Sequence, residues 1–204
     1  VSSDKASSFV NILYLCVIIG LDSGVFGSLF SRIQQNLANG KNMQPRTVFE
    51  KIWDDHVIAV REDGQSLIYV DRLLLQENSF HAFDVLRREN RTVRNPSQAF
   101  AFADHYVPTT PRGQGMDSVT IPENRRMIEL IQADAKAYGI DTFTVGDVRQ
   151  GILHVVGPEQ GISQPGIVLA GADSHTSTHG ALGAFAFGVG SSETAHALAT
   201  QGLW

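Results

Sequence analysis

A single cysteine, Cys16, stands among 204 residues. That scarcity excludes an internal disulfide framework, and it excludes a multi-thiolate metal or cluster site built from this chain alone. Positive charge is also short: 16 lysines and arginines face 21 aspartates and glutamates, a formal net charge of -5. With no basic stripe, a nucleic-acid partner has no electrostatic support. Several familiar chemical signatures are missing too. The sequence has no H-E-x-x-H, no CxxC, no G-x-S-x-G elbow, no G-x-G-x-x-G after a strand and no phosphate-loop lysine. Long apolar runs are equally rare, since the segment Phe9–Leu21 falls short of the roughly 20 residues that a spanning helix needs.

Both ends read as cut. The chain opens on Val1 and stops at Leu203-Trp204, just after a helix-like run. Phe9–Leu21 makes a poor signal-peptide core, because only Lys5 precedes it and no convincing small-residue cleavage site follows. The reading adopted places the start of translation at Met43. Residues 1–42 form an unrelated extension without fixed packing, and residues 43–204 a partial α/β domain with the texture of a cytoplasmic protein and no membrane association.

From Met43 onward, 43% apolar content across the sequence is enough for a buried core. Pro45 and Thr47 suit a helix entry before Val48–His56. The run Ser66–Asp71 reads as a strand ending at Asp71-Arg72, and Phe80–Arg88 as a helix with a basic last turn. Ala99–Ala103 is an apolar strand running into Asp104-His105. Glu123–Tyr138 is the clearest amphipathic helix, with Met127, Leu130, Ile131 and Ala135 on its buried face and Gly139 as its stop. Thr142–Val145, Ile152–Val156 and Ile167–Ala170 read as short strands. A Gly-rich passage then leads to a last helix capped by Ser191 or Ser192, with Glu193 in its first turn. Helices alternating with short, wholly apolar strands predict an α/β fold with a mainly parallel sheet and flanking helices.

Three polar clusters lie beyond or within these strands: Asp104-His105, His154, and Asp173-Ser174-His175 in the stretch GADSHTSTHG. In open α/β sheets, the carboxyl ends of the strands form the crevice where ligands bind, so the clusters converge on one site. A carboxylate beside a histidine orients the ring and raises its pKa, which suits general acid or base work near neutral pH. Each pair taken singly is explained well enough by a solvated turn, and His154 by a satisfied core histidine. The three together favour function. Asp173, His175 and His105 also permit a metal-dependent hydrolase, although mixed Asp/His spacing of this kind is weakly specific. Glycines 180, 183, 188 and 190 are explained better by close backbone packing than by a phosphate cradle. His81, His179 and His196 are assigned to surface or packing roles.

Asp104-His105, QGILHVVGPEQG (residues 150–161) and GADSHTSTHGALGAFAFGVGSSE (residues 171–193), joined by YVDRLLLQE and FADHYVPT, resemble the N-terminal part of the aconitase family. Within it they are most similar to the branch of 3-isopropylmalate dehydratase large subunits. The likeness runs from about Thr47 to the last residues. It implies a hydro-lyase interconverting 2- and 3-isopropylmalate in leucine biosynthesis, with a hydroxy-dicarboxylate substrate and a separate small subunit as partner. Members hold a [4Fe-4S] cluster on three cysteines, expected beyond Trp204, so the chain as given is expected to bind no cluster and to be inactive. Carried over by motif, His105 protonates the departing hydroxyl with Asp104 orienting it. His154 pairs with Asp173, Ser174 and His175 line the pocket, and Gln76 contacts substrate. The isopropylmalate branch more often reads His-Glu where this chain has Gln76-Glu77, and Gln is the aconitase-like choice. The same chemistry on homoaconitate, a methylmalate or a dimethylmalate, and an inactive truncated product, are the other readings.

Overall fold

The computed structural model describes residues 45–111 and 113–204. The extension assigned to residues 1–42, its Phe9–Leu21 run and Met43 lie outside the described residues. The order of elements is α1 (Val48–His56), β1 (Val57–Val60), β2 (Ser66–Tyr69), β3 (Arg72–Leu75), α2 (Phe80–Arg88), β4 (Ala99–Phe102), α3 (Pro122–Tyr138), β5 (Asp141–Phe143), α4 (Leu153–Glu159), β6 (Val168–Gly171), β7 (Phe185–Gly188), α5 (Ser191–Thr200) and β8 (Gly202–Leu203).

Five strands form one sheet in the order β5-β4-β3-β6-β7, every neighbouring pair parallel. Alternate side chains leave a strand on opposite faces, so a strand buried on both faces must be apolar throughout. Leu73 and Leu75, Ala99 and Ala101, and Val168 and Ala170 enter one core, which Phe83, Leu86, Ile131 and Leu198 of the helices complete. Leu74, Phe102 and Leu169 enter a second core, which Leu153 and Val156 of α4 close. The mainly parallel sheet with flanking helices is therefore the observed architecture. Among the described residues no helix is long and apolar enough to cross a membrane.

A second, antiparallel sheet has the order β1-β2-β8. The expected strand end at Asp71-Arg72 is instead a passage between sheets, because the chain leaves β2, bends through Val70-Asp71 and continues as β3. Asp71 Oδ2 accepts from the Val168 amide at 2.8 Å and meets His56 Nε2 at 2.6 Å, so this carboxylate ties α1 and β6 to the bend.

Helix boundaries follow local chemistry. Thr47 Oγ1 accepts from the Glu50 amide at 3.1 Å while Glu50 Oε2 accepts from the Thr47 amide at 2.7 Å, a reciprocal cap that starts α1. Gly139, at φ 72°, ends α3 in the left-handed conformation that favours glycine. On α3 the buried residues are Ile128, Ile131, Asp134 and Ala135. Met127 and Leu130 are only half buried, because the helix is rotated toward Asp134. That carboxylate is drawn inward by its bond to Arg87 of α2. For α5 the cap is Gly190, one residue ahead of the expected serines.

The largest departure from expectation is Ile152–Val156, which reads as a strand and folds as the start of helix α4. Val155 and Val156 both donate to the Ile152 carbonyl, at 2.8 and 2.9 Å, and the Leu153 amide donates to Asp104 Oδ2 at 2.8 Å. An acidic side chain from the neighbouring strand end thus caps the helix and overrides the β-branched preference of the valines.

Candidate functional site

Sheet order fixes the location. The chain moves outward from β3 through β4 to β5, then returns to the other side of β3 with β6. Loops leaving β3, β4 and β6 therefore diverge around β3, the point where an open α/β sheet gives a crevice. Gln76 and Glu77 follow β3, Asp104 and His105 follow β4, and Asp173, Ser174 and His175 follow β6.

His105 spans the gap between two carboxylates. Its Nδ1 lies 2.5 Å from Asp104 Oδ1 and its Nε2 3.2 Å from Asp173 Oδ2. The aspartate side chains are 3% and 7% exposed, whereas the imidazole between them reaches solvent. Burial pulls His105 down, but Asp104, Glu77 and Asp173 outweigh it and hold the ring above its ordinary pKa. A ring whose neighbours favour its protonated form and which remains accessible is suited to donate a proton.

Asp173 gathers three donors. Oδ1 receives His154 Nε2 at 2.7 Å and the His175 amide at 2.7 Å, and Oδ2 faces His105. Burial acts to raise its pKa, but the His154 bond, the His175 amide and the nearby imidazoles prevail and lower it. His154 reaches Asp173 from the first turn of α4, a position set by the Asp104 cap on Leu153. Asp104 thus holds His105 with one oxygen and places the helix bearing His154 with the other.

Gln76 is buried, its Nε2 donating to the Ala172 carbonyl at 2.6 Å, and its Oε1 has no partner among the described residues. Ser174 and His175 are exposed, the His175 side chain at 84%, with Ser174 Oγ 3.3 Å from His175 Nδ1. They form an outer ledge to the buried Asp173.

Two further groups belong to the site although sequence reasoning passed over them. Glu77 is 0% exposed, and its Oε1 accepts from the His105 and Tyr106 amides at 3.2 and 3.1 Å, which fixes the turn carrying the dyad. Burial pushes its pKa up. The only sequence signal was a charge inside the otherwise apolar and polar-uncharged run LLLQENSF. The second is His179, expected at the surface or in packing; it is buried, with Nε2 3.0 Å from His154 Nδ1 and Nδ1 2.8 Å from Ser163 Oγ. His81 is exposed and His196 half buried.

Burial and the neighbouring His154 depress His179 to a pKa of about 4. An unfolded histidine titrates near 6.5. Below that value the unfolded chain takes up a proton that the folded one refuses. The stability from this residue is therefore present above about pH 6.5 and lost as pH falls through the folded value, by on the order of 3 kcal/mol. His105 runs in the opposite sense, since its contribution is complete below the unfolded value and is lost as pH rises through its raised one. Thermal melts from pH 7 to 4 should fall more steeply for the wild type than for His179→Gln. Parallel curves would remove this assignment.

Among the described residues, Glu77, Asp104 and His105 are the one carboxylate–imidazole group with potential ligand atoms all within 4.8 Å of one another. This differs from the Asp173, His175, His105 trio of the hydrolase reading. A thiolate-held cluster does not fit the residues present, because the site offers only imidazoles, carboxylates, amides and hydroxyls, and Cys16 lies outside the described residues.

A strand-end dyad, a second imidazole on a capped helix and a Gly-lined β6–β7 pair all fall within residues 50–204. That is the stretch matched by the family model described as "Aconitase family (aconitate hydratase)". The match extends over most of the chain and takes in every site residue named above, so the chain belongs to the aconitase family, a family of hydro-lyases.

Proposed function

We propose that this chain supplies the proton-handling wall of a hydro-lyase that interconverts 2- and 3-isopropylmalate. The observation that carries the reading is the unbroken row Asp104–His105–Asp173–His154 at the carboxyl ends of β4 and β6. Dehydration removes a hydroxyl as water, so that oxygen must gain a proton while a carbon-bound proton is lost to a base. His105 donates the proton, with Asp104 aligning the ring and favouring its protonated form, and the ring is reprotonated from solvent for the next turnover. His154 donates its Nε2–H to ionised Asp173 and so holds that carboxylate in place beside His105. His175, Ser174 and Gln76 contact the rest of the substrate. The base lies outside the residues assigned here.

Members of the family carry a [4Fe-4S] cluster, and the residues of this chain do not fit one alone. Thiolates from polypeptide outside these 204 residues, together with a small subunit, complete the enzyme. A second reading keeps the chemistry and exchanges the substrate for homoaconitate, a methylmalate or a dimethylmalate. Gln76 favours it, because its unpartnered Oε1 accommodates a different donor than a histidine would. The test offers these substrates side by side to the assembled enzyme and follows the unsaturated intermediate. Preference for isopropylmalate is expected, and preference for another dicarboxylate would transfer the assignment. The chain by itself, reconstituted anaerobically, should contain no stoichiometric [4Fe-4S] centre by iron and sulfide assay, and finding one would overturn the donor argument.

A further inference from the structure

The row of hydrogen bonds continues behind His154, away from the crevice. His179 lies 1% exposed beneath α4, its ring set edge-on to His154 with centroids 5.1 Å apart and planes at 62°. Ser163, also buried, closes the row at 2.8 Å from His179 Nδ1. Space for this arrangement is made by Gly157 within α4. A Cβ there would stand 2.9 Å from Ser163 Oγ and 3.3 Å from His179 Cε1. Glycine in a helix interior costs roughly 1 kcal/mol relative to alanine, and here it makes room for the two polar groups.

Proton positions along the row are determined one after another. Ionised Asp173 only accepts, so His154 carries its proton on Nε2. Whenever His154 is in its neutral form, Nδ1 presents a lone pair to His179, which must answer with Nε2–H. The Nδ1 lone pair of His179 in turn faces Ser163, whose hydroxyl donates. The opposite assignment sets two lone pairs against each other at 3.0 Å.

We propose that His179, backed by Ser163, is a positioning residue that fixes His154 as its Nε2–H tautomer and so aims that proton at Asp173 and the crevice. Its catalytic meaning rests on the hydro-lyase reading; the tautomer itself does not. Low pKa at His179 agrees with the scheme, since a neutral ring has one proton to give.

The test is nitrogen-15 imidazole spectroscopy on the full chain without substrate. Both His154 and His179 should be Nε2–H in the wild type, and either ring found as Nδ1–H overturns the proposal whether or not any variant folds. His179→Leu should leave His154 a mixture of tautomers. His179→Gln, whose amide nitrogen reaches the place of Nε2, should restore the single form, and an unchanged His154 in the leucine variant also refutes the idea. In the assembled enzyme the leucine variant should lose roughly a hundredfold in kcat with KM little altered, and glutamine should recover most of it. A correct tautomer pattern without turnover of any dicarboxylate would count against the hydro-lyase reading and leave this one standing.

Discussion

Asp173→Asn should slow dehydration by the assembled enzyme by a factor of about 10²–10⁴, the range spanned by loss of one positioned acid–base group. The carboxylate accepts from His154 Nε2, from the His175 amide and from His105 Nε2. An asparagine of the same shape keeps one accepting oxygen and replaces the other by an N–H donor. One of the two imidazoles must then turn its protonated nitrogen away or give up its proton. Either outcome disarms the wall, through His105 as acid or through His154 as its neighbour. The measurement is kcat on whichever dicarboxylate the assembled enzyme turns over best, together with a thermal melt. A rate within about threefold of wild type in a folded variant would remove Asp173 from the mechanism. A loss explained wholly by unfolding is tested by Asp173→Glu, which retains both acceptors and should recover part of the rate.

Gly188→Ala is expected to have the largest effect on stability. Gly188 pairs with Gly171 across the parallel β6–β7 ladder. A Cβ at 188 would lie 2.6 Å from the Asp173 carbonyl oxygen and 3.3 Å from Ser174 Cα. Both obstacles are backbone, so no side chain can swing aside, and the strand or the loop after β6 must move. Overpacking of this kind costs roughly 3 kcal/mol, a fall of about 10 °C in Tm for a domain of this size. The displaced loop carries Asp173, so activity should fall with stability. Gly180→Ala is the control, since nothing lies within 4 Å of its added Cβ. Equal melting temperatures for the two variants would show that the β6–β7 contact yields.

These glycines also illustrate how far sequence reasoning reached. Close packing was the expected reason for residues 180, 183, 188 and 190, and it holds at 188 and at 190, where a Cβ would meet Glu193 Oε2 at 2.9 Å. At 183 the left-handed φ of 81° is the stronger requirement. Gly180 answers to neither. The wholly apolar strands announced a parallel sheet because burial on both faces leaves no place for a polar residue. By contrast β1, β3, β7 and β8 were not read from the sequence: β3 begins where a strand end was expected, and the others pair with partner strands brought to them by the fold.

Site residues followed the same division. Asp104, His105 and Asp173 lie where apolar strands stop, a position visible in one dimension. His154 was located correctly in number but on the wrong element, because the Asp104 cap that makes its helix arrives from 49 residues away. Glu77 and His179 were missed for a related reason. Their partners, the His105 and Tyr106 amides in one case and His154 and Ser163 in the other, meet them only through the fold.

The row from Asp104 through His105, Asp173 and His154 to His179 places five ionisable groups in unbroken contact. Groups so joined exchange protons as a set, and each step in a pH profile belongs to the set rather than to any one member. A substitution at either end therefore shifts every step of that profile, so the distant His179 and the solvent-facing His105 leave the same kind of mark on it.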